Sequence, residues 1–94
     1  MDSITLKDVV HHPSFAEEVK VYVERYKNTP FVKILRPLYR KGIFDDVQTF
    51  IESFEEVIEK RSNLSSTERR TVEYIGMLAA HKTYIKIKEQ NENG

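Results

Sequence analysis

The stretch Phe44-Asp45-Asp46-Val47-Gln48-Thr49-Phe50-Ile51-Glu52-Ser53-Phe54-Glu55-Glu56-Val57-Ile58-Glu59-Lys60 decides the fold. Val47, Phe50, Ile51, Phe54, Val57 and Ile58 fall three or four residues from one another along the chain, the period of an α-helix with one apolar stripe. Asp45, Glu52, Glu55, Glu56 and Glu59 fill the other side. Acids at the start and Lys60 and Arg61 at the end suit the helix dipole. The spacing predicts a helix over 44–61.

The same signals extend in both directions. Ser65 and Glu68 have capping-box spacing and open a long helix over 66–88, with Val72, Ile75, Leu78, Ala79 and Ile85 on its apolar face. Gly76, Ala79 and Ala80 let a neighbour approach that face closely, and residues 90–94 read as a frayed tail. On the other side, Thr29-Pro30 opens a helix over 30–41 that carries Phe31, Ile34, Leu35 and Leu38 on one face and Lys33, Arg36 and Arg40 on the opposite one. Pro37 removes the bond to the Lys33 carbonyl, so a kink or two short helices is expected there, and Gly42 ends the unit. Phe15, Val19, Tyr22, Val23 and Tyr26 predict a helix over 15–27, begun by Ser14 with Glu17 and stopped at Asn28. Thr5 and Asp8 cap a short turn that stops before Pro13. The fold class is all-α: a small bundle of four helices in one domain, 1–94.

Composition narrows the class. Of the 94 residues, 39% are hydrophobic and 11% aromatic, enough for a core of roughly 20 side chains. Phe50, Phe54, Val57, Ile75 and Leu78 are assigned to it. Without cysteine there are no disulfides or thiolate metal sites, which suits a reducing interior. No apolar run approaches the roughly 18 residues that span a bilayer, and the first ten residues lack a signal-peptide pattern. A soluble, cytoplasmic protein with no membrane association is expected. Abundant Lys, Glu, Ile and Tyr beside two glutamines lean toward a heat-loving source.

Net charge is zero, yet the charges are sorted. Arg25 to Lys41 holds six basic residues and no acid, whereas Asp45 to Glu59 holds six acids and no base. Such a chain presents two electrically opposite surfaces. In an antiparallel bundle the two segments are neighbours, with Arg36 or Arg40 paired to Glu52 or Glu56. The basic segment is interleaved with Tyr26, Phe31 and Tyr39, a mixture suited to phosphate contact and stacking. In the plainer reading the aromatics turn into the core and the cations form a solvated face.

Catalytic patterns are weak. His11-His12 with His81 lacks a further ligand at metal spacing, so no metal is assigned. Asp45-Asp46 and Glu55-Glu56 are sequence neighbours that diverge by about 100° on a helix, which suits a solvated face. The serines sit at helix starts, and the three glycines are isolated from one another, so no phosphate cradle is formed. No enzymatic activity, catalytic residue or cofactor is expected.

Two stretches of the chain resemble known families. Leu64-Ser65-Ser66-Thr67-Glu68-Arg69-Arg70-Thr71-Val72-Glu73-Tyr74-Ile75 resembles the opening helix of winged helix-turn-helix regulators, but Gly76 to Lys82 continues without the turn to a recognition helix. Residues 44–88 resemble the helical domain of archaeal GINS subunits, the replication-fork scaffold. The shared features are the aromatic-led helix with Phe50-Ile51, the short polar link, and Glu68-Arg69-Arg70 leading into a helix that ends in Lys82 and Ile85-Lys86-Ile87-Lys88. That family's small β-rich domain has no counterpart here. The resemblance implies a non-catalytic accessory subunit of a DNA replication or repair assembly, with a protein partner from that complex.

The residues expected to contact an acidic protein surface or a phosphate backbone are Lys33, Arg36, Arg40, Lys41, Arg69, Arg70, Lys82 and Lys86. The competing reading is a small DNA-binding transcriptional regulator, viral or plasmid-borne, acting as a homodimer.

Overall fold

In the computed structural model, which describes residues 3–93, the order is α1 (Leu6–Val10), α2 (Pro13–Lys27), α3 (Val32–Arg40), α4 (Val47–Glu59) and α5 (Ser66–Asn93). The expected all-α bundle is what forms, with the N-terminal turn present as α1. At 1.5 Å per residue, the 28 residues of α5 measure about 42 Å, matching the molecule's long dimension of 42 Å. All four other helices pack on α5, with α2 sharing the largest contact.

The buried face of α5 explains this arrangement. Glu68, Thr71, Val72, Ile75, Gly76, Ala79, Ala80 and Thr83 are all buried, and most are small. Small side chains let other helices approach the axis, so their larger residues supply the bulk of the core. α2 runs antiparallel to α5, from the Glu18–Lys86 ion pair at one end to the Tyr26–Tyr74 contact at the other. Phe15, Phe50 and Phe54 are buried against one another with ring centroids 6.0 to 6.4 Å apart. Leu35 and Leu38 bring α3 into the same core, and Val9 and Val10 bring α1. Leu78, assigned to the core from sequence, is instead half-buried at its edge.

Helix boundaries follow the caps. The Thr5–Asp8 box forms in both directions, at 3.1 and 3.2 Å. So does the Ser65–Glu68 box, again at 3.1 and 3.2 Å. α2 departs from its expected start: His12, not Ser14, is the cap, its Nδ1 accepting the Ser14 N–H at 3.1 Å, and Pro13 takes the first helical position. α4 is shorter than 44–61. Gly42 at φ +74° turns the chain, and Asp46 caps Val47 by accepting the Thr49 N–H at 2.8 Å. At its other end Lys60 adopts φ 62°, with Lys60 and Arg61 N–H groups closing on the Val57 and Glu56 carbonyls.

α3 starts at Val32, because Thr29 ties the preceding turn: its hydroxyl donates to the Tyr26 carbonyl and accepts the Phe31 N–H. The helix then runs through Pro37 as one element. Lys33 and Pro37 are both exposed, so water can satisfy the carbonyl left without its donor. α5 continues past 88 to Asn93 where a loose end was expected.

The neighbour relation expected for the charged segments does not form. α3 and α4 share no substantial contact, and neither Arg36 nor Arg40 pairs with Glu52 or Glu56. Instead α3 and α4 each pack on α5, and α5 supplies a partner: Lys41 of the basic segment reaches Glu68.

Candidate functional site

At the end of the molecule where α2 hands over to α3, three rings meet over the start of α5. Tyr26 and Phe31 lie 5.1 Å apart, Tyr26 and Tyr74 5.9 Å, and Phe31 and Tyr74 6.2 Å, all tilted by 50° to 56°. Tilted rings at such distances align the positive edge of one with the negative face of another. The Tyr26 and Tyr74 hydroxyls are 3.2 Å apart, and this bond, ahead of burial, holds the Tyr26 phenol above its ordinary titration range. Tyr74 stays 48% exposed. Its ring is therefore a wall with one side open to solvent.

Those rings, with Pro30, Ile34, Thr67, Arg70 and others, line an open cleft of about 720 Å³. Two hydroxyls on its wall are engaged with backbone: Thr29 donates to the Tyr26 carbonyl at 2.7 Å and Thr71 to the Thr67 carbonyl at 2.8 Å. Arg70 is the one charged residue of the lining. An apolar cleft with a single guanidinium at its edge can seat a hydrophobic side chain beside an acidic group. It contains no nucleophile beside a base.

The eight cations expected at a binding surface separate into distinct groups. Lys33, Arg36 and Arg40 share the outer side of α3, exposed and without a side-chain partner among the described residues. Lys33 directly precedes the cleft residue Ile34, and Arg70 lies on the cleft itself. Arg69 is half-buried beside it in sequence, and Lys82 is exposed farther along α5.

Lys41 and Lys86 do a different job. The Lys41 ammonium hydrogen-bonds Glu68 Oε1 at 3.1 Å and lies 2.9 Å from Oε2. Glu68 is only 6% exposed, and Lys41 first, then the Ser65 cap, hold its carboxyl below the usual range against the opposing effect of burial. Lys86 donates to Glu18 at 2.8 Å, which holds its ammonium above the ordinary lysine range. Both lysines join helices distant in sequence, so their charge is already matched within the fold.

Sequence reasoning named Tyr26 and Phe31 but not Tyr74. The missed signal was its phase: Tyr74 is out of step with Val72, Ile75 and Ala79, on the solvent side of α5. Tyr39, the third aromatic of the basic segment, lies elsewhere, 4.9 Å from Phe44 by ring centroids. Among the described residues no group of three His, Asp or Glu side chains is arranged to hold a metal ion, and no helix is long and apolar enough to cross a membrane. No protein-family profile, curated protein or solved structure matches the chain.

Proposed function

We infer that this protein is a non-catalytic interaction module that takes an acidic, apolar-tipped segment of a protein partner into the Tyr26–Phe31–Tyr74 cleft. The observation that carries this reading is the aromatic trio of the cleft, half-buried at Tyr26 and Phe31 and exposed at Tyr74, with Arg70 in the same lining and Lys33 exposed next in sequence to the lining residue Ile34. Charge complementarity selects the occupant: the segment from Arg25 to Lys41 has no acid of its own to offer those cations. Rings supply the contact area, and the cations orient and select what docks.

The finer role is an accessory subunit of a DNA replication or repair assembly in the cytoplasm. It rests on the likeness of residues 44–88 to the helical domain of archaeal GINS subunits and on a site that has binding chemistry without a nucleophile–base pair. The second reading, a small DNA-binding regulator, draws on the unpaired row Lys33, Arg36 and Arg40 along one side of α3.

Salt titration separates the two. A chain that neutralises several phosphates should lose roughly 10³-fold in duplex affinity between 50 and 200 mM salt. A protein-docking subunit retains its partner at moderate salt and has little affinity for bare duplex. Tight, steeply salt-dependent duplex binding by the purified chain would replace the first reading with the second.

A further inference from the structure

We propose that a second cavity, separate from the Tyr26–Phe31–Tyr74 cleft, is a site for a small organic cation: an alkylammonium group carried on a short apolar body. The cavity measures about 440 Å³ and lies where α2, the end of α3 and the start of α4 come together around the turn that holds Phe44. Small-molecule sites are of this size, mostly apolar, with a few polar groups that fix orientation.

Core residues supply its apolar part. Val19, Val23 and Phe50 are all buried in the core and all line the cavity. Tyr39 and Phe44 line it as well, with ring centroids 4.9 Å apart and planes at 59°, so the two rings present differently directed surfaces. Phe44 in turn stacks on Phe50 at 5.9 Å and 24°, which holds its ring in place. Tyr39 is exposed and Phe44 half-buried, so a ligand can reach both from solvent. The face of an aromatic ring attracts a cation within about 6 Å of its centroid, and rings this close together can share one ammonium.

Charge selects the occupant. Four charged residues line the cavity, Glu24, Asp45 and Asp46 against Lys20. The three carboxylates differ in what they have left to offer. Glu24 pairs with Lys27 at 3.1 Å, and Asp46 spends both oxygens on Thr49, at 2.8 and 2.9 Å. Asp45 is exposed and forms no ion pair among the described residues, so it is the carboxylate assigned to the ammonium. Asp46 still adds its negative charge, because the Thr49 bonds hold its carboxyl below the usual range. Burial first, then the charge of Glu24, holds the Tyr39 phenol above its ordinary range, so the field of Glu24 reaches the aromatic wall. Lys20 is the one opposing charge, and as an exposed side chain it can extend into water. The cleft has the opposite sign, with Arg70 as its one charged residue, so the two cavities sort ligands by charge.

This inference does not depend on the cleft reading, and the experiment keeps them apart. Titrating the full chain with n-hexylamine, protonated at neutral pH, should shift the backbone amide resonances of Val23, Phe44 and Val47 saturably. n-Hexanol, with the same apolar body and no charge, should bind about fivefold more weakly. Hexanoate should leave these resonances in place. Asp45→Asn should erase most of the advantage of the amine over the alcohol, whereas Lys20→Gln should enlarge it. Both positions are exposed, so each variant should keep the helical circular dichroism, and opposite responses report the charge around the cavity and not a loss of folding. The proposal is overturned by the absence of saturable shifts with n-hexylamine, by equal affinity for n-hexanol, or by shifts gathered on Tyr26, Phe31 and Tyr74. Weaker amine binding in both variants would overturn it too.

Discussion

Phe54 lies so close against Gly76 that a Cβ built on the glycine would sit 2.3 Å from the Phe54 ring. Phe54 is fully buried, with Phe15 and Phe50 around it, so the ring has no free direction in which to withdraw. The absent side chain at 76 is therefore what lets α4 dock on α5 at this height.

Gly76→Ala should lower stability even though alanine is the better helix former. Overpacking a tight core costs about 1–3 kcal/mol, whereas the helix preference returns roughly 1 kcal/mol. Urea denaturation should show a lower midpoint with an unchanged slope. Phe54→Leu in the same chain should recover part of the loss, whereas Phe54→Ala alone should cost about 3–5 kcal/mol.

Glu68 makes stability depend on pH in one direction. Its carboxyl is held below the usual range in the folded chain, so its contribution is present above the unfolded value of about 4.3 and disappears as pH falls through the lower folded value. Glu68→Gln should be less stable than wild type at neutral pH, and the gap should narrow on acidification below about pH 4. Thermal denaturation of both proteins across this range measures it. A gap independent of pH would mean that the Lys41 pairing contributes nothing.

Thr83 offers a gain. Its hydroxyl is buried and without a hydrogen-bond partner. Thr83→Val keeps the branched shape and removes the unsatisfied oxygen, which should raise stability by about 1 kcal/mol. A chemical-denaturation midpoint moving upward checks this.

Arg36→Glu with Arg40→Glu alters exposed side chains of α3 that make no ion pair in the fold. Circular dichroism and melting temperature should stay close to wild type, with surface substitutions of this kind worth about ±0.5 kcal/mol. Partner binding should weaken through slower association, the usual effect of reversing rim charges. A large loss of helicity would mean that α3 is held by these charges and not by Leu35 and Leu38.

Much of the fold was legible because its signals are local. The three-four spacing from Val47 to Ile58 located α4, and Thr5 with Asp8 and Ser65 with Glu68 marked two helix starts from residues three apart. What stayed hidden depends on distant partners. Nothing near Lys41 in sequence indicates Glu68, and the central role of α5 is carried by Gly76, Ala79, Ala80 and Thr83, whose weak hydropathy conceals how much they bury. His12 displaced Ser14 as a cap because Pro13 fixes the first helical position, which spacing to Glu17 does not reveal. At the site, the exposure of Lys33, Arg36 and Arg40 was readable from helical phase. The meeting of Tyr74 with Tyr26 and Phe31 required the fold.

The most direct test of the cleft as a docking site is quantitative co-purification from the native host, comparing wild type with the Lys33→Glu, Arg70→Glu chain at moderate salt. The account predicts that a protein of a DNA-processing complex accompanies the wild type and that the doubly reversed chain, with unchanged circular dichroism, recovers at least about tenfold less of it, a difference of roughly 1.4 kcal/mol. Equal recovery of that protein by the two chains would contradict it.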